Sequence, residues 1–141
     1  MGACYSIWLL AKLKTGTEDK IAETLNNKIM RADSENVDYA VKKLYPKFKF
    51  PYTLEQLMEI FFVQHQGMFD MTIKDGQISI KSAFDASYGW EMVMIDAVEE
   101  ILPYLEDKSE ICIDIDEGYD RFVVEHGKMV SKRKYWKGGT I

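Results

Sequence analysis

The first apolar run of the chain is nearly unbroken: Tyr5, Ile7, Trp8, Leu9, Leu10, Ala11 and Leu13 leave no clear alternation within residues 3–14. A short continuous run closed by a break, here Thr15-Gly16, predicts a central strand covered on both faces. The period then changes. Ile21, Ala22, Leu25 and Ile29 recur at helical spacing, and Thr15 stands three residues before Glu18 as in a capping box, which predicts a helix over 16–30.

Residues 33–45 carry a second helical pattern, with Ser34 as cap, Val37, Val41, Leu44 and Tyr45 along one side, and Pro46 as the stop. Lys47-Phe48-Lys49-Phe50-Pro51 is held extended by its proline. Thr53 and Gln56 form another capping box, and Leu54, Leu57, Met58 and Phe61 predict a short helix ending near Val63. A hairpin follows, residues 68–73 and 77–81 flanking Lys74-Asp75-Gly76, because Asp-Gly suits a tight turn.

The longest amphipathic stretch spans 88–105. Trp90, Met94, Ala97, Val98, Ile101 and Leu105 form its apolar stripe, with Asp96, Glu99 and Glu100 facing away. Ser87 is its expected cap, and Pro103 predicts a kink or early end. Ile111, Ile113 and Ile115 then alternate with Cys112, Asp114 and Asp116, the pattern of a half-buried strand. Turns at Glu117-Gly118 and His126-Gly127 lead into strands over 119–125 and 128–136, and the tail from Lys137 reads as loose.

The order is strand, helices, two strands, helix, three strands. It predicts an α+β fold: a mainly antiparallel sheet with a split βαβ (ferredoxin-like) core, inserted helices and extra C-terminal strands. At 141 residues, with 47% hydrophobic and 13% aromatic side chains, one domain spanning 1–141 has enough apolar material for a core. The run at Ile7-Trp8-Leu9-Leu10-Ala11 is too short for a secretory signal core or a membrane span, so no membrane and a cytoplasmic location are expected. Cys4 and Cys112 then read as free, buried thiols.

Charge changes the picture most. The net −5 hides a segregation: residues 84–120 hold one base, Lys108, against twelve acids, whereas residues 121–141 carry a balance of +5. Such an acidic block is either a solvated, solubilising face or a docking surface for a basic partner. Its expected contacts are Tyr88, Asp96, Glu99, Glu100, Glu106, Asp107 and Glu117. Spaced carboxylates can present charge somewhat as a phosphate backbone does, so a nucleic-acid-binding protein is one such partner. The segment Lys132-Arg133-Lys134-Tyr135-Trp136-Lys137 could grip single-stranded nucleic acid, but lysines on an edge strand fit an acidic chain better.

Candidate chemistry is sparse. Asp114, Asp116 and Asp120 around Gly118 are the one set able to hold magnesium or calcium, Asp114 and Asp116 being about 7 Å apart on one strand face. The spacing departs from a calcium-binding loop, and turn-forming acids explain it equally. His65 follows a predicted helix and His126 falls in a turn, neither beside a nucleophile. No phosphate-binding glycine loop or dinucleotide fingerprint occurs, so no cofactor is expected. Phe84 and Trp90 read as buried with Tyr88 at the rim, or else as a recognition corner.

Size, acidity and missing catalytic motifs are similar in type to small inhibitors carried by phages and mobile elements, anti-CRISPR proteins among them; that likeness transfers no residue. The expectation is a non-enzymatic interaction protein presenting an acidic surface to a basic or nucleic-acid-binding partner. The alternative is a small divalent-metal-dependent enzyme or ligand-binding domain using Asp114, Asp116 and Asp120.

Overall fold

Every second residue of the first strand points into one apolar core. Ala3, Tyr5, Ile7, Leu9 and Ala11 are buried, while Cys4 and Ser6 are exposed and Trp8 and Leu10 only half-buried. The computed structural model describes residues 2–31, 35–64, 68–115 and 119–132. Within them the chain runs β1 (Gly2–Lys12), α1 (Glu18–Met30), α2 (Glu35–Tyr39) with a π-helical turn (Ala40–Leu44), α3 (Leu54–Phe62), β2 (Met68–Lys74), β3 (Gln77–Ser87), α4 (Trp90–Ile101) with a 3₁₀ turn (Leu102–Tyr104), β4 (Glu110–Ile115), β5 (Tyr119–Glu125) and β6 (Lys128–Ser131).

The strands form one six-stranded sheet in the order β2-β3-β1-β4-β5-β6, every neighbouring pair antiparallel. Ile78, Ile80 and Phe84 of β3 and Ile111 and Ile113 of β4 face the same way as the odd residues of β1. They share one cluster with Ile21 and Leu25 of α1, Leu57, Met58 and Phe61 of α3, and Met94, Ala97 and Ile101 of α4. The opposite face has no described helix over it. The expectation that β1 is covered on both faces therefore fails, because Trp8 and Leu10 fill open-face positions and mask the alternation.

Local signals account for most boundaries. Thr53 caps α3 in a reciprocal box, its hydroxyl accepting from the Gln56 N–H (3.1 Å) and the Gln56 side chain accepting from the Thr53 N–H (3.0 Å). The last carbonyls of α3 are each satisfied although they are buried, as helix ends require. Glu59 accepts from Val63, Gln64 and the Tyr45 hydroxyl; Ile60 from the Gln64 side chain; Phe61 from the Trp90 indole; and Phe62 from the Ser82 hydroxyl. Asp75 and Gly76 both take positive φ, as a two-residue hairpin turn needs, and Lys74 belongs to the strand.

Other boundaries move. The cap of α1 is Thr17, whose hydroxyl donates to the Lys14 carbonyl, so the box read into Thr15 and Glu18 does not form. β3 runs on to Ser87, and α4 starts after Gly89 (φ 100°) rather than at a Ser87 cap. Phe84 and Trp90 are buried and Tyr88 is exposed. Pro103 stands in the 3₁₀ turn that ends α4. Ser34, His65, Glu117 and residues 133–141 lie outside the described residues, and β6 is seen as four residues.

Candidate functional site

The helix that carries the acidic block buries Trp90, Val93, Met94, Ala97, Val98 and Ile101. That leaves Met92, Asp96 and Glu99 on the solvent side, at spacings that align them on a helix surface. Tyr88 lies four residues ahead of Met92 in the turn that enters α4. Tyr88 is 63% exposed and Met92 54%, unusual for large apolar side chains so close together in sequence. Among the described residues no cation lies within ion-pair distance of Asp96 or Glu99. The result is a ridge of Met92, Asp96 and Glu99 along α4, with Tyr88 exposed in the turn before it.

The rest of the block does not join this ridge. Glu100 is taken by Arg31 of α1 (2.7 Å), with Lys28 at 4.0 Å. Glu91 accepts from the buried Tyr5 hydroxyl at 2.7 Å. Glu106 stands beside Lys12 and Lys14 in a mixed-sign crevice at another end of the molecule. Glu110 pairs with Arg121 at 2.6 Å, and Asp85 and Asp114 are exposed on the open sheet face. The described acids of this block thus spread over several surfaces.

Asp107 has a structural task. Its two carboxylate oxygens accept from the backbone N–H groups of His126 (3.0 Å) and Gly127 (3.1 Å), holding the β5–β6 turn where His126 takes φ 54°. These donors, chiefly Gly127, lower its pKa below the ordinary carboxylate value. A depressed carboxyl contributes stability above the unfolded-state pKa and loses it as pH falls through the folded one. Asp107→Asn is therefore expected to melt below wild type near neutrality, with the gap closing once the pH is well below about 4. Thermal melts across the acidic range check this; a gap unchanged by pH would contradict it.

Two of the three aspartates read as a metal set, Asp114 and Asp120, stand on different faces of the sheet. Asp114 opposes Tyr119 on the open face, whereas Asp120 opposes Ile113 and so belongs to the helix-covered face. Asp116 lies outside the described residues, and among those described no group of three or more His, Cys, Asp or Glu is placed to hold a metal ion.

A second surface was not legible as a site. The open sheet face carries a shallow trough of about 970 Å³ whose floor is Trp8 and Cys112, with Ser6, Asp114, Lys81, Asp70 and the Glu110–Arg121 pair around it. Cross-strand register places Asp70, Lys81, Trp8, Cys112 and Arg121 in one row across five strands. Only the apolar residues at even positions of β1 hinted at it. Along this row one acid, Asp70, stands with two bases, Lys81 and Arg121, in contrast to the α4 ridge.

No helix of the described residues is long and apolar enough to cross a membrane. Compared with protein families, curated proteins and solved structures, the chain finds no match.

Proposed function

We propose that this protein is a non-enzymatic interaction domain that docks Tyr88 and the α4 ridge, Met92, Asp96 and Glu99, against a basic protein. One observation carries the reading: two large apolar side chains stand in solvent next to two carboxylates with no described cation to neutralise them. Tyrosine and methionine are enriched at protein interfaces, where apolar anchors supply affinity. Unpaired charge beside them steers encounter with a partner of opposite sign. The ridge is narrower than the whole acidic block, because Glu100 and Asp107 already serve the fold. A small inhibitor covering a phosphate-binding cleft is the role that suits such a surface. In the same reading the sheet is a split βαβ unit extended by β5 and β6; the strand order and antiparallel neighbours support that assignment.

The test is capture from host lysate at low and moderate salt by wild type and by Asp96→Lys/Glu99→Lys. Wild type is expected to retain a basic protein whose recovery falls with salt, and the double variant to lose it by about tenfold or more. Equal retention by both proteins, or none by either, would overturn the reading.

The trough on the open sheet face favours a second reading, a ligand or peptide site centred on Trp8. Under it, binding changes the fluorescence of Trp8 and is abolished by Trp8→Ala, while charge reversal on α4 has no effect.

A further inference from the structure

The two outer strands of the described sheet are protected to very different degrees. β6 is four residues long, begins with Lys128, and is followed by Lys132, whose ammonium pairs with Glu125 at 3.3 Å. Short length and lysines are the usual guards against edge-to-edge pairing. β2 has seven residues, Met68-Phe69-Asp70-Met71-Thr72-Ile73-Lys74, without proline, and its pairing to β3 runs without a bulge. Met68 is 82% exposed and Phe69 45%.

The hairpin fixes what this edge offers. In a two-residue hairpin the residues flanking the turn, here Lys74 and Gln77, exchange both backbone hydrogen bonds, and bonded pairs alternate from there. Lys74, Thr72, Asp70 and Met68 therefore turn their N–H and C=O groups toward β3. Phe69, Met71 and Ile73 turn theirs outward, to an edge that no described strand occupies.

We infer that the occupant of this edge is a second copy of the same chain, paired antiparallel through β2 about a two-fold axis with Asp70 opposite Lys74. The sequence of the strand is self-complementary in this register alone. Both charged side chains then meet their opposites, twice per dimer, at the closely spaced positions where opposed Cα atoms are about 4.5 Å apart. Met71 opposes Ile73 of the second copy, Thr72 opposes Thr72, and Phe69 lies diagonal to Ile73, all with the helices of both copies on one side of a continuous sheet. Sliding the strands by two residues leaves each charge opposite an uncharged residue. Sliding by four sets Asp70 against Asp70 or Lys74 against Lys74, which is repulsive. The interaction surface is separate from the α4 ridge, so it holds or fails independently of the docking proposal.

Sedimentation across a wide concentration range tests it. Wild type is expected to dimerise. Asp70→Lys and Lys74→Asp should each weaken the dimer by about tenfold or more, and the double exchange Asp70→Lys/Lys74→Asp should restore it. A monomer at every concentration, single variants that dimerise as wild type does, or a double exchange that stays monomeric would each overturn the inference. Thr72→Cys gives a readout independent of charge, since the exposed Thr72 side chains face one another across the axis. Mild oxidation with oxidised glutathione should link two copies of this variant and leave wild type, with only Cys4 and Cys112, unlinked; failure of the variant to link would also overturn it.

Discussion

Replacing Trp90 with alanine is expected to destabilise the protein by about 3–5 kcal/mol, a large part of what holds a domain of this size folded. Trp90 is the first residue of α4, follows a glycine at φ 100°, and is 2% exposed within the central cluster. Its ring is buried in the core where α4 meets α3, so truncation leaves a cavity in addition to the lost transfer free energy. Its indole N–H also donates to the Phe61 carbonyl at 3.0 Å, one of the buried carbonyls at the end of α3. Trp90→Phe separates the two contributions. It retains an aromatic ring but orphans that carbonyl, and is expected to lose about 1–3 kcal/mol. Urea denaturation of the two variants checks the order; equal losses would mean that the hydrogen bond, not the packing, dominates.

Asn26 is the second sensitive point, and its importance comes from a loop rather than a core. The side chain of this α1 residue donates to the Tyr52 carbonyl at 2.9 Å and accepts from the Tyr52 N–H at 2.8 Å. It thereby does for an isolated buried residue what a neighbouring strand would do. The amide also donates to Ala22 one turn back. Tyr52 immediately precedes Thr53, the cap of α3, so Asn26 locks the entry to α3 against α1. Asn26→Ala leaves two buried backbone groups unpaired and is expected to cost about 2–4 kcal/mol. Asn26→Asp should be at least as damaging at neutral pH, because it keeps the acceptor but sets a carboxylate oxygen against two carbonyls. Matched thermal and urea unfolding would show this. A neutral Asn26→Ala would mean that the 45–53 segment does not depend on the clamp.

How much of this was legible in the sequence varied with the physics. Several signals confined to a few consecutive residues held: the Thr53–Gln56 box, the Asp75-Gly76 turn and the end of α4 around Pro103 are realised, whereas the Thr15–Glu18 box and the Ser87 cap are not. Signals that depend on which face a residue occupies were weaker. Trp8 and Leu10 turned an alternating strand into an apparently continuous one, and concealed the open face of the sheet. The run Phe84-Asp85-Ala86-Ser87 reads as a loop because its residues are small or acidic, yet pairing with Gly2 to Tyr5 keeps it in β3.

The same limit applies to the candidate site. Tyr88, Asp96 and Glu99 were named from the pattern and lie on the ridge or in the turn before it; Met92 was not, since a methionine in an amphipathic helix ordinarily belongs to the core. Glu100 and Asp107 have partners distant in sequence, Arg31 and the His126-Gly127 turn, that no local pattern reveals. The register of β4 with β5 separates Asp114 from Asp120 although they are six positions apart. Charge density along a chain is a statement about composition; a surface requires the fold.

The most direct test of the proposed docking surface is oxidative footprinting of the protein alone and with a basic protein that it retains from lysate. Tyr88 and Met92 are expected to lose most of their reactivity in the complex, while Met68 on β2 and Trp8 on the open sheet face react as before. Protection of Trp8 with Tyr88 and Met92 unchanged would contradict the account and move the binding site to the trough on the opposite side of the sheet.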